Sequence, residues 1–375
     1  MFMKLRTQHQ KFQDECKSFV DHEILPYANQ MDEEEHTHKQ LIQKVADKGY
    51  LGAVINKAYG GHELDFLSLG IMNEQIGRGC SSIRSLLTVH GMVTRAIDRW
   101  GTEEQKRKWL PELSTGAKIG AFGLSEPNVG TDVKSIETVA VRVNDRFVLN
   151  GKKKWITYGQ IADLFLIFAQ YDGEPVAFLV EKGRNGLSTH AINGMLGTKA
   201  SMLAELHLEN CEVEKENMIG GIGQGLSFIA THCLDYGRFS IAFGSVGIGQ
   251  ACIDESLAYT SRRKQFGVPL NEHQLIQKML SEMVVNVEAA RLLCLQLAYR
   301  YEMRDPEAMI SGWKAKYFAT TMLGKITSDA IQIQGANGCS KDSNVQRFFR
   351  DAKIMEIIEG TTQMHEIVIS KHAFT

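Results

Sequence analysis

The chain has 375 residues, 43% of them hydrophobic, with 42 basic and 44 acidic side chains and a formal net charge of −2. Such a length supports two or three domains with sizeable cores, while the charge balance gives no field for a polyanion and argues against nucleic acid as a partner. No apolar run approaches the ~18 residues of a membrane span, and the polar N-terminus does not read as a signal peptide, so a cytoplasmic protein without a membrane partner is expected.

Residues 1–117 repeat apolar side chains at helical spacing, as in Phe12, Phe19 and Val20, then Leu41, Ile42 and Val45. Gly60-Gly61 interrupts this zone, and Thr102 with Gln105 predicts a capping box for its last helix. From 118 to 225 the period shortens to two. VAVRVNDRFVLNG predicts two strands about Asn144-Asp145, LFLIFAQYDGEPVAFLV two about Asp172-Gly173, and ELHLENCEV one more. These strands suggest an antiparallel barrel or sandwich. From 226 to 375 long helices return. Asn271 and Gln274 are expected to cap one over about 272–303, and Asp305-Pro306 to begin the next. Four such helices predict a bundle, and the α, β, α order without βαβ alternation argues against a Rossmann-type enzyme.

Seven scattered cysteines without a CxxC pair read as free thiols. His36-Thr37-His38, in MDEEEHTHKQ, has no nearby cysteine and no HExxH pattern, so it reads as solvated surface and no metal is expected. IGGIGQGLSF and FGSVGIGQA lack both the GxGxxG register after a strand and the P-loop lysine.

Four stretches concentrate chemistry. GLSEPNVGTD (123–132) gathers Ser125, Gly130 and Thr131 in one loop, as a polar cradle or as an ordinary turn. GKKKWITYG (151–159) sets Trp155 and Thr157 two apart on an expected strand, facing one side, which suits a flavin ring or core packing. SRRKQFGVPL (261–270) places Arg263 and Phe266 where they could meet a pyrophosphate and an adenine, or form a solvated turn. In MEIIEGTTQMH (355–365), Glu359 precedes Gly360 at a helix boundary, either as a solvated helix end or as a base held over a reacting carbon.

Together with IQIQGANG and RDAKIMEIIEGTTQ, these segments resemble the acyl-CoA dehydrogenase family of flavoproteins over essentially the whole chain. Three departures stand out: Val129 replaces a small residue, WITYG replaces WITNG, and Ala336 replaces the second glycine of QIxGG. The resemblance implies a mainly α fold with a central antiparallel β domain: an N-terminal helical domain (1–117), a middle β-barrel (118–225) and a C-terminal four-helix bundle (226–375). It implies FAD, lined by Ser125, Gly130, Thr131 and the backbone of Phe122 and Leu124, with Trp155 and Thr157 against the isoalloxazine. Arg263, Phe266, Gln332, Gly335 and Ala336 would serve a neighbouring subunit's FAD, while Thr361 and Gln363 would contact the FAD beside Glu359. A homodimer or homotetramer follows, with an external electron acceptor.

The resemblance makes Glu359 the base that takes the α-proton as hydride leaves the β-carbon. An α-C–H beside a thioester is a weak acid, so the base needs a raised pKa, which burial supplies. A family branch keeps its base just before an arginine, but here Gly237 precedes Arg238, leaving no rival carboxylate. Ser125, Tyr236, Arg238 and Gly360 are expected to line the substrate.

SSIRSLLTVHGMV (81–93), DYGRFSIAFGSVGI (235–248) and residues 350–373 are similar to the dehydrogenases that make methoxymalonyl-, hydroxymalonyl- and aminomalonyl-acyl carrier protein. That implies a glyceryl or seryl thioester on a carrier protein, oxidised at C3, with Arg238 facing the developing carboxylate or orienting Glu359. The alternatives are a short-chain acyl-CoA dehydrogenase of fatty or amino acid breakdown, a flavin monooxygenase or oxidase on the same fold, and a silent helical scaffold.

Overall fold

Residues 6–374 are described in the computed structural model. The first zone holds α1 (Thr7–Phe19), α2 (Ala28–Glu34), α3 (Lys39–Asp47), α4 (Phe66–Gly79), α5 (Ser81–Trp100) and α6 (Glu103–Ser114). The middle zone holds β1 (Gly120–Gly123), β2 (Val139–Val143), β3 (Arg146–Ile156), β4 (Leu164–Tyr171), β5 (Glu174–Glu181), β6 (Leu187–Ala191), β7 (Ala204–Glu214) and β8 (Met218–Ile219). The last holds α7 (Thr231–Arg262), a hairpin of β9 (Lys264–Gln265) and β10 (Val268–Pro269), α8 (Gln274–Glu302), α9 (Ala308–Gln334), α10 (Asn344–Ile357) and α11 (Thr362–His372).

The predicted turns form where the strands stop. Val143 faces Arg146 across Asn144-Asp145, and Tyr171 faces Glu174 across Asp172-Gly173. The sheet order is β6-β7-β3-β2-β4-β5-β8, with β1 beside β4. It is not wholly antiparallel: β1 runs parallel to β4, and β2 meets β4 in parallel at Val139 and Gln170. Parallel neighbours need long connections, and the loop after β1 and the β2–β3 hairpin supply them. Alternation along the strands divides the core. Phe147, Leu149, Phe165, Ile167 and Phe178 fill one face, while Leu164, Leu166 and Phe168 join the helical core.

The capping box of α6 is present: Gln105 N–H donates to Thr102 Oγ1 (3.2 Å), and Thr102 N–H donates to Gln105 Oε1 (2.9 Å). The expected caps further on are displaced. His273 precedes α8 without a side-chain cap, because Asn271 lies in a 3₁₀ turn over Leu270–Glu272. Asp305 closes a local turn instead, accepting from Glu307 N–H at 2.8 Å ahead of α9.

The MDEEEHTHKQ segment is only partly solvated. Thr37 is buried, donates to the Ala200 carbonyl (2.7 Å) and pairs with the Tyr158 hydroxyl (2.8 Å). Among the described residues no helix is long and apolar enough to cross a membrane. In the C-terminal zone, α7 packs against α8, α9 and α10, and also against α4 and α5. The joint between the helical zones therefore runs along α7.

Candidate active site

α10 ends at Ile357, and α11 starts behind Thr361, whose Oγ1 accepts from Met364 N–H at 3.4 Å. In the turn between them Glu359 has φ 56° and Gly360 φ 95°. Glycine adopts such values freely, but a glutamate there costs about 1–2 kcal/mol. The strain sits on a residue whose side chain is thereby aimed inward. Glu359 is partly exposed as a whole, yet its Oε2 is buried and has no hydrogen-bond partner. Burial pushes its carboxyl up to about 7, opposed by the positive charges of Arg238, Lys316 and Arg84. Glu356 takes a different role, half-exposed and paired with Lys353 Nζ at 2.9 Å.

Two helices hold this turn. On α7, Gly237 leaves the space into which the Glu359 carboxylate fits: a Cβ there would lie 2.4 Å from Oε2 and 2.3 Å from Met92 Cε. On α9, the buried Lys316 donates from Nζ to the Gly360 carbonyl (2.7 Å) and the Glu356 carbonyl (3.2 Å). Burial lowers the Lys316 pKa to about 7, partly offset by Glu359. Arg238 stacks over Trp313, 3.9 Å from the ring centroid, and donates to Asp235 Oδ1 at 2.5 Å. No hydrogen bond joins Arg238 to Glu359 among the described residues, so it acts on the carboxylate through charge rather than as a direct orienting donor. Tyr236 is buried beside Gly91, with the Arg95 guanidinium 5.4 Å from its ring centroid.

The residues expected at the flavin fall into two groups. Phe122 belongs to β1, and Leu124 and Ser125 follow directly; the Ser125 carbonyl accepts from Lys154 N–H at 2.9 Å, which ties this loop to Trp155. Gly130 and Thr131 are exposed farther along the loop. The expectation that Trp155 and Thr157 share one face of a strand fails. β3 ends at Ile156, its pairing with β7 shifts between Lys153 and Ile156, and Trp155 has φ 64°. This bulge re-aims the ring, leaving Trp155 48% exposed while Ile156 is buried and Thr157 begins a turn.

The second group lies at the far end of the bundle. Phe266 stands 96% exposed at the β9–β10 hairpin with Arg263 at its base, and Gln332, Gly335 and Ala336 are exposed around the end of α9. Tyr259 links the ends of α7 and α9, donating to the Gln334 carbonyl (3.3 Å) and accepting from Asn337 Nδ2 (2.9 Å). Along α9, Gln332 is roughly 24 Å from Lys316 at 1.5 Å per residue. Within one chain these residues stand well away from Glu359, whereas Thr361 and the exposed Gln363 adjoin it.

Sequence reading missed Lys316 and Arg84. Each is a cation among buried helix positions, Lys316 between Ala315 and Ala319, and Arg84 between Ile83 and Leu86. That intrusion of charge into an apolar stripe is the signal that could have found them.

A half-exposed aromatic ring, hydroxyls at Ser125 and Thr157, and a buried Thr362 Oγ1 without a partner fit the polar and aromatic edges of FAD. A helical–sheet–helical chain that aims a buried carboxylate from a strained turn is suited to taking a proton from a weakly acidic C–H beside such a cofactor. Comparison with known proteins narrows the class. The acyl-CoA dehydrogenase N-terminal, middle and C-terminal domain profiles match residues 6–117, 121–211 and 223–374. The chain belongs to the acyl-CoA dehydrogenase family, FAD-dependent oxidoreductases that act on acyl thioesters.

It is 38% identical to a short-chain-specific acyl-CoA dehydrogenase of Clostridium acetobutylicum, over 100% of both chains. The butyryl-CoA dehydrogenase of Megasphaera elsdenii is 32% identical, with TM-score 0.96 over 100% of both chains. FkbI, described as serving biosynthesis of the methoxymalonyl extender unit of the FK520 polyketide, is 28% identical, with TM-score 0.88 over 96% of this chain and 99% of its own.

Proposed function

We propose that this chain oxidises a three-carbon glyceryl- or seryl-type thioester carried on an acyl carrier protein, with Glu359 as the base. The observation that carries the base assignment is the Glu359 Oε2, buried without a partner in the space left by Gly237. A carboxylate so placed is a stronger proton acceptor than one in water.

FAD supplies a two-electron acceptor for the hydride. Glu359 takes the proton that the acyl unit gives up, while a bound FAD would accept the hydrogen that leaves with its electron pair. Lys316 holds the turn by its two carbonyls, and Gly237 keeps the α7 surface clear. Arg238 adds positive charge beside the reacting carbons and offsets the cost of the ionised base. Phe122, Leu124, Ser125, Gly130, Thr131, Trp155, Thr157, Thr361 and Gln363 would hold the FAD of the same site. Arg263, Phe266, Gln332, Gly335 and Ala336 would hold that of an adjoining subunit, within a homodimer or homotetramer.

The carrier-protein reading is supported by the stretches at 81–93, 235–248 and 350–373 and by the likeness to FkbI. A second reading, a short-chain acyl-CoA dehydrogenase, is favoured by the 38% identity to the Clostridium enzyme. Anaerobic mixing of the flavoprotein with glyceryl-carrier protein and with butyryl-CoA separates them. The first reading expects flavin bleaching by the carrier-bound unit, and bleaching by butyryl-CoA alone would replace it with the second.

A further inference from the structure

Arg95 and Arg99 lie one turn apart on α5, and among the described residues no carboxylate comes within ion-pair distance, 4.0 Å, of either. Asp235 on α7, whose carboxyl feels the charge of Arg95, is taken by Arg238, and Asp98 stands beside Arg99 in sequence without pairing. Like charges at this spacing weaken a helix. Cations near a helix C-terminus are favoured, which accounts for Arg99 in the last turn of α5 but not for Arg95 a turn further in. Arg95 is partly buried: its Nε is shut from water without an acceptor, and its Nη2 donates to His232 Nε2 at 3.2 Å. A guanidinium only donates, so His232 is neutral and carries its proton on Nδ1. Burial and the two arginines push that imidazole down to about 3.

These groups flank the way to the base. The Arg95 guanidinium carbon is 5.4 Å from the ring centroid of Tyr236, which precedes Gly237, and Met92, one turn before Arg95, packs at the same glycine. Beyond Gly237 the groove between α5 and α7 closes, with Arg84, Thr88 and Ser240 all buried. Toward Arg95 it opens: His232 is partly exposed, Arg99 is exposed, and Phe228, one turn before His232, is 57% exposed. The open side is the one from which a carrier arm reaches Glu359. That arm is pantetheine in both CoA and carrier proteins, about thirteen bonds from sulfur to phosphorus, the reach of roughly four extended residues or ~14 Å. Arg99 stands roughly 10 Å beyond Met92 along α5 at 1.5 Å per residue, and its side chain spans the rest. Arg95 and the His232 Nδ1–H suit the arm's amide carbonyls. Phe228 and Trp100, which lies edge-on to His232 at 5.1 Å, suit its dimethyl group.

We propose that Arg95 and Arg99, with His232 beside them, form a subsite for the phosphate at the end of a pantetheine arm, the group that acyl-CoA and acyl carrier protein share. The inference rests on the acyl-thioester reading of the Glu359 site and adds where the carrier end is held. A phosphate there supplies the anion that neither arginine has within the chain, and charge-assisted contacts to it relieve their mutual repulsion.

The test uses the purified FAD enzyme with propionyl-pantetheine and propionyl-4′-phosphopantetheine, which differ only in the phosphate. Perturbation of the flavin spectrum on titration gives both dissociation constants. The phosphorylated thioester should bind tighter by roughly tenfold or more, as for one charge-assisted contact, and the ratio should shrink as salt is raised. The double variant Arg95→Gln, Arg99→Gln should bring the ratio close to one with flavin content unchanged, and Arg95→Lys, Arg99→Lys should keep part of it. Propionyl-CoA and propionyl-carrier protein, titrated in the same way, identify the source of the phosphate: the one that loses affinity in the Gln variant is held there, and loss by both means that both are. Equal binding of the two pantetheine thioesters by the unmodified enzyme overturns the subsite and leaves the thioester reading standing. If neither perturbs the flavin, that underlying reading falls as well.

Discussion

The Glu359 carboxylate sits where a side chain on residue 237 would be: an added Cβ at Gly237 would stand 2.4 Å from Oε2. Base and helix are therefore complementary, one residue strained to point inward and the other reduced to glycine to receive it. Gly237→Ala should retain flavin but slow anaerobic flavin reduction by about 10²-fold, the usual penalty for an ångström-scale displacement of a catalytic group. Stopped-flow absorbance with the flavin content of each variant checks this.

The pH dependence follows from burial. Glu359 is pushed up to about 7 and accepts a proton only when ionised, so flavin reduction should rise with pH through about 7 and level off above it. Arg238, Lys316 and Arg84 all favour the ionised form. Lys316→Met removes one of these charges and both carbonyl clamps, so the midpoint should move up and the limiting rate fall, with Lys316→Arg restoring part of each. A pH–rate profile for the three proteins decides.

Glu359 should also cost stability. Its folded pKa lies above the ordinary 4.5, so the folded state binds the extra proton and stability falls as pH rises from about 4.5 to 7. Glu359→Gln removes that loss and should unfold at higher denaturant than wild type at pH 8, with a smaller difference at pH 4.5. Urea titrations at the two pH values test the sign.

Beneath the cofactor loop, Lys153 Nζ and Glu126 Oε1 form a buried ion pair at 2.6 Å. Glu126 also accepts from Thr138 N–H at 3.0 Å and Thr138 Oγ1 at 2.6 Å, which ties residues 126 and 138 to β3. Lys153→Met strands the carboxylate and should cost about 3–5 kcal/mol of stability with loss of bound flavin. Adding Glu126→Gln should return part of it. Chemical denaturation and the flavin-to-protein absorbance ratio measure both effects.

The hairpin carrying Phe266 is exposed at the opposite end of α9 from Lys316. If it serves an adjoining subunit's FAD, Phe266→Asp should lower flavin occupancy and weaken the oligomer, while Arg263→Ala lowers occupancy alone. Light scattering with flavin quantitation distinguishes the two.

Much of the architecture was legible because its signals are local. The turns at Asn144-Asp145 and Asp172-Gly173 and the capping box at Thr102 depend on residues within a few positions of one another. What failed depends on distant partners. The bulge at Trp155 follows from its pairing with β7, and Thr37 is buried by Tyr158 and Ala200, more than a hundred residues away. At the site, Gly360 announced a turn, but nothing local showed that Glu359 itself would take positive φ. Lys316 and Arg84 escaped because charge suggests surface until the facing helices are in place.

Proton removal by Glu359 is read most directly from anaerobic single-turnover bleaching of the flavin in wild type and Glu359→Gln, with the best thioester found for the wild type. The variant should stay yellow, bind the thioester and fail to bleach on the wild-type timescale at any pH from 6 to 9. Bleaching at the wild-type rate would contradict it.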